Sequence, residues 1–164
     1  AFSNKFKVDK TTRENLAAQS IHEVSYFSTP TPLNNWLWYI NAKTDSGYFI
    51  GYYSLFDQTD QIEFSYLPQN DSLLFQFKDN DEVKKLIRFS QGYYSADALG
   101  DTVYLSDLRF GLITDWKSGT GYSVFRYALN NNVNNDLIES FVQLHVRIEE
   151  KHLLEKKFLE YQKK

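Results

Sequence analysis

Trp36-Leu37-Trp38-Tyr39-Ile40-Asn41-Ala42-Lys43-Thr44-Asp45-Ser46-Gly47-Tyr48-Phe49-Ile50-Gly51-Tyr52-Tyr53-Ser54-Leu55-Phe56 is the stretch that decides the fold. Its first half alternates, with Trp36, Trp38, Ile40 and Ala42 on one face and Leu37, Tyr39 and Asn41 on the other, which is the period of a strand. Thr44-Asp45-Ser46-Gly47 supplies turn formers, and residues 48–56 read as a second strand, so the pair is a β-hairpin. In that second strand Tyr48, Ile50, Tyr52 and Phe56 oppose Phe49, Tyr53 and Leu55. A strand apolar on both sides is covered on both sides.

Upstream, Thr29-Pro30-Thr31-Pro32 cannot be helical, because each proline lacks an amide donor and holds the preceding residue extended. It reads as a rigid lead-in to the hairpin. Before it, a helix is expected from near Asp9, as N-cap, to about Ser20 or Ile21. Its sparse apolar positions, Val8, Leu16 and Ala17, form a stripe narrow enough to lie on a sheet.

Downstream, strands are expected at 62–66 and 73–77, then a helix at 81–89 stopped by Gln91-Gly92, then strands resuming at Tyr93-Tyr94, 102–110 and 121–129. Hairpin order without regular helical crossovers predicts an α+β fold: an N-terminal helix packed on a mainly antiparallel β-sheet, with a long C-terminal helix. Residues 1–130 form the α+β domain. Asparagines 130–132, 134 and 135 begin a linker, and residues 131–164 comprise this linker and the C-terminal helix, either part of the same domain or an interaction extension. Asp136 and Glu139 resemble a capping box, with Leu137, Phe141, Leu144 and Ile148 at helical spacing. A helix of about 26 residues spans roughly 39 Å. Its distal half either meets a partner, including a second copy of the chain, or lies across the sheet.

The chain has 164 residues, 42% hydrophobic and 17% aromatic, with 13 Phe and 12 Tyr, enough for one sheet-rich core. A formal charge of −3 and a pI near 5.6 lack the basic footprint of a nucleic-acid binder. With no cysteine there is no disulfide, thiolate zinc site or cysteine nucleophile. The absence of Met, including at position 1, reads as a piece of a longer protein. No apolar run approaches the roughly 20 residues that span a bilayer, so any membrane association is expected outside these residues.

The search for chemistry leaves few candidates. His145 and His152 lie seven apart on the expected helix, about 10.5 Å of rise, too far to share an ion unaided, and His22 has no acidic or histidine companion. No phosphate loop, nucleophile elbow or HExxH motif occurs. Asp107 and Arg109, at i and i+2 of one strand, face the same side. They read as an anion site or an acid held by a guanidinium, or else as a salt bridge that sets register or a polar pair that ties down the turn at Gly111. Asn34 reads as a recognition amide or a backbone tie at the strand start. Trp36, Trp38, Tyr48, Tyr52 and Tyr53 form either an aromatic binding surface or core. No catalytic residue and no metal ligand is assigned in this piece.

Three segments taken together, Thr29-Pro30-Thr31-Pro32-Leu33-Asn34-Asn35-Trp36-Leu37-Trp38, Gly47-Tyr48-Phe49-Ile50-Gly51-Tyr52-Tyr53-Ser54-Leu55-Phe56-Asp57 and Asp107-Leu108-Arg109-Phe110-Gly111, resemble the soluble C-terminal region of the YdjM family. That family comprises bacterial inner-membrane proteins described as membrane-bound metal-dependent hydrolases, with a LexA-regulated member. Gln19-Ser20-Ile21 and Val124-Phe125-Arg126-Tyr127 also fall in place, so the resemblance covers roughly residues 5 to 129. It implies that a divalent metal and the hydrolytic histidines belong to an N-terminal membrane half, and that this piece is an extramembranous accessory domain for substrate recognition or scaffolding, itself inactive and without a cofactor. The implied partners are its own membrane domain and a small-molecule or lipid-linked substrate. The alternative is an assembly module acting through the C-terminal helix. Lys5, Lys7, Lys10 and Arg13 would follow a membrane span, which leans the domain to the cytoplasmic side of the inner membrane.

Overall fold

A computed structural model describes residues 2–31, 35–112 and 123–129 of the chain. The expected hairpin is its centre: β2 (Leu37–Lys43) pairs antiparallel with β3 (Gly47–Ser54), placing Trp38 opposite Tyr53 and Tyr39 opposite Tyr52. Thr44 closes the turn by donating its amide to the Gly47 carbonyl at 2.8 Å and its hydroxyl to the same oxygen at 3.0 Å. β1 (Ser25–Pro30) and β4 (Phe64–Pro68) flank the hairpin, giving a four-stranded antiparallel sheet in the order β1-β2-β3-β4. A second antiparallel sheet of three strands follows: β5 (Tyr94–Leu99), β6 (Thr102–Leu112) and β7 (Ser123–Leu129). The fold is α+β and antiparallel, as expected, with its strands divided between two sheets.

Helix α1 (Phe2–Ala18) lies along β2. Val8 packs with Trp38, Ile40 and Tyr53, and Leu16 packs with Ala42, so helix and strand run in the same direction. The other face of the hairpin buries Tyr39, Tyr48 and Ile50 against Leu108 of β6. Both sides of β3 are therefore covered, as its composition demands. Beyond β4, a 3-10 helix (Asp71–Phe77) and α2 (Asp81–Phe89) close one face of the second sheet, burying Leu74, Phe77 and Val83 against Ala96, Val103, Leu105 and Leu129.

Several expectations need correction. α1 starts at Phe2, and Asp9 is mid-helix rather than an N-cap: its carboxylate accepts from Lys5 Nζ at 2.9 Å and from Ser28 Oγ at 2.7 Å, anchoring α1 to β1. The segment holding Thr29 and Pro30 is not only a lead-in, because Pro30 ends β1 opposite Trp38 on an edge strand, where a missing donor is tolerated. β4 begins two residues late because α1 has taken the preceding backbone: Asn15 Oδ1 accepts from Ile62 N at 2.8 Å and Gln19 Nε2 donates to Ile62 O at 2.8 Å. The expected strand at 73–77 is 3-10 helix. Asn70, at φ 58, turns the chain, and Leu74 and Phe77, three apart, then bury on one side of a three-residue turn. α2 has its expected bounds, with Asn80 Oδ1 accepting from Glu82 N and Val83 N. The linker beginning at residue 130 and the helix over 136–164 lie outside the described residues.

Candidate functional site

The joint between the sheets is made by tyrosines of the hairpin gripping β6 backbone. Tyr39 donates its hydroxyl to Leu108 O at 2.8 Å, and Asn41 Nδ2 donates to Tyr39 Oη at 3.2 Å. One step further, Tyr52 Oη accepts from Leu112 N at 3.2 Å. Burial pushes the Tyr39 hydroxyl far above the usual phenol range, so it stays a donor.

Between these two grips β6 is irregular. Its register against β7 shifts between Asp107 and Leu112, and Gly111 sits at φ 85, a conformation costly for any residue with a Cβ. Arg109 lies within this irregular stretch and pairs with Asp107. Asp107 is only 1% exposed. Its Oδ1 accepts from Arg109 N and Nε, each at 3.0 Å, and its Oδ2 accepts from Nη2 at 2.6 Å and Nε at 3.2 Å. Hydrogen bonding to Asp107 raises the Arg109 pKa further, so the guanidinium stays charged. The Ser123 hydroxyl donates to Asp107 O, tying β7 to the same point.

The guanidinium lies between two rings. Arg109 Cζ is 4.7 Å from the Phe89 centroid at the end of α2 and 5.1 Å from that of Phe110. Phe110 meets Phe125 of β7 edge-on at 4.8 Å. All three phenylalanines are exposed, Phe89 to 60%. The result is a cation seated over a buried carboxylate and framed by solvent-facing rings. Both oxygens of the acid accept hydrogen bonds from Arg109.

Asp107 and Arg109 are thus brought together as their i, i+2 spacing requires. Asn34 lies outside the described residues. The five candidate aromatics do not share one surface: Trp38, Tyr48 and Tyr53 are buried, Tyr52 is half-buried at the sheet joint, and Trp36 is exposed against Phe56. Phe89, Phe110 and Phe125 carry no joint signal in the sequence, because each comes from a different element and only the tertiary fold makes them neighbours. His22 is exposed. Among the described residues no three His, Asp or Glu side chains gather to hold a metal ion. No helix of the described residues is long and apolar enough to cross a membrane. No family model matches the chain, and neither a curated protein nor a solved structure matches it.

Proposed function

We propose that this chain is an extramembranous accessory domain of a membrane-bound metal-dependent hydrolase, serving recognition or scaffolding and not itself catalytic. The observation that supports this most is Arg109 held between Phe89 and Phe110 over the buried Asp107 carboxylate. A catalytic acid needs a carboxyl free to exchange protons near the working pH. Asp107 is instead spent on positioning the cation, whose side chain is 18% exposed beside the solvent-facing rings. Exposed rings beside a partly covered guanidinium have the composition of a contact site. The resemblance of residues 29–38, 47–57 and 107–111 to the YdjM family supplies the membrane context and the hydrolytic partner half.

The test compares the full-length protein with residues 1–164 for bound divalent metal and for hydrolysis of phosphate and carboxylate ester probes. Metal and turnover with the full-length protein only is the expected result. Stoichiometric metal together with turnover on residues 1–164 alone overturns the reading.

A further inference from the structure

α1 is a basic element in an acidic chain: Lys5, Lys7, Lys10 and Arg13 stand against Asp9 and Glu14, whereas the whole chain carries 21 acidic and 18 basic residues. Because α1 runs along β2 in the same direction, its first turns sit at the end of the hairpin where β2 begins and β3 finishes. Lys5 Nζ lies 5.7 Å from the Trp38 ring and Lys7 Nζ lies 5.8 Å from the Tyr53 ring, and those two rings face each other across the strands. Just beyond that rung, Leu55 N donates to Trp36 O at 2.9 Å, which sets Trp36 beside Phe56 with ring centroids 5.6 Å apart. Trp36 is 55% exposed, Phe56 73%, and Phe6, between the two lysines, 72%.

This edge therefore joins exposed rings to a cationic helix. Lys5 is tied to Asp9 and Ser28. The ion pairs of Lys7 with Asp60 and of Lys10 with Glu14 are long and exposed, at 3.8 Å each, and Lys7 also lies over the Tyr53 ring; exposed pairs of this length are too weak to hold the ammonium groups from another anion. Asp57, the nearest acid in sequence to Phe56, turns back to accept from Ser54 N. Indole and phenyl rings settle at the boundary between headgroups and acyl chains, and lysines beside them meet lipid phosphates. We infer that the Trp36–Phe56 edge, with Phe6, Lys7 and Lys10, docks the domain on an anionic bilayer surface, an inference that rests on the membrane-bound reading above.

Flotation of residues 1–164 with phosphatidylethanolamine–phosphatidylglycerol vesicles at low ionic strength tests this, with brominated acyl chains as quenchers of tryptophan emission. The chain is expected to float and to be quenched. The Trp36→Ala/Phe56→Ala double variant should bind about tenfold more weakly, and Phe75→Ala, at an exposed ring of the 3-10 helix, should bind like the unaltered chain. Trp36→Phe should still float while losing much of the quenching. No flotation, equal flotation of the double variant, or retention only on vesicles that carry the protein's membrane half overturns the inference, the last pointing to a protein partner instead. Binding to that membrane half in detergent, with no bilayer present, fails or succeeds independently and reports on the accessory-domain reading alone.

Discussion

The Tyr39 hydroxyl donates to the Leu108 carbonyl at 2.8 Å, across the joint between the two sheets and 69 positions apart in sequence. Leu108 lies between Asp107 and Arg109, so a side chain of the central hairpin fixes the backbone from which the ion pair is built. Tyr52 grips the far side of the same bulge at Leu112. The site is positioned by a rigid sheet and not by a loop.

Tyr39→Phe keeps the ring and removes this bond, leaving the buried Leu108 carbonyl to the more distant Asn41 amide at 3.4 Å. A loss of about 1–2 kcal/mol is expected, read as a lower urea midpoint with unchanged slope. The same variant should alter alkaline stability. Burial raises the Tyr39 pKa in the folded chain, so above about pH 10, where an unfolded tyrosine ionises, the folded state retains a proton that the unfolded state releases. Stability is therefore full below that pH and falls as pH rises past it. Tyr39→Phe should make the fall shallower; an unchanged slope would remove Tyr39 as its cause.

Asp107→Asn leaves Arg109 largely buried without its counter-charge and should cost about 3 kcal/mol. Asp107→Leu combined with Arg109→Met removes both charges and should cost less than Asp107→Asn alone, because no buried charge is stranded. Chemical denaturation of the three proteins decides this, and a double variant at least as damaged as the single one would count against the pairing.

Gly111→Ala meets no close atom, its Cβ lying 3.8 Å from the Tyr39 ring, so its cost is that of the left-handed backbone alone. About 1 kcal/mol is expected. If Gly111 sets the bulge, the Arg109 side-chain resonances should shift in this variant, whereas Gly100→Ala, also at positive φ but in open space, should leave them in place.

Asn80→Ala removes the acceptor for Glu82 N and Val83 N at the start of α2 and should cost about 1 kcal/mol. Hydrogen exchange should accelerate first at those two amides. Uniform loss of protection across both sheets would instead mean that α2 and the sheets open together.

Much of the fold was legible because its signals are local. The alternation in 36–56 names both strands of the hairpin, and the composition of 81–89 marks α2 with its bounds. What failed was set by contacts between distant segments. Asn15 and Gln19 of α1 occupy the backbone at Ile62 and delay β4, and nothing near residue 62 announces this. Leu74 and Phe77 suit a strand or a 3-10 turn equally until Asn70 bends the chain. The site divides in the same way. Asp107 and Arg109 were readable from their i, i+2 spacing, while the Phe89–Phe110–Phe125 frame arises only when α2, β6 and β7 meet. Trp38, Tyr48 and Tyr53 belong to the core because α1 and β6 cover the two faces of the hairpin.

The central claim is that the ringed Arg109 surface binds and does not catalyse. Its most direct test is titration of residues 1–164 into the separately produced membrane half that the proposed function assigns to the protein, in detergent, comparing the unaltered chain with Phe89→Ala, a change at an exposed position that leaves the Asp107–Arg109 pair intact. Saturable binding weakened about tenfold by Phe89→Ala, a loss near 1.4 kcal/mol, is the predicted result. No binding, or binding untouched by Phe89→Ala, contradicts it.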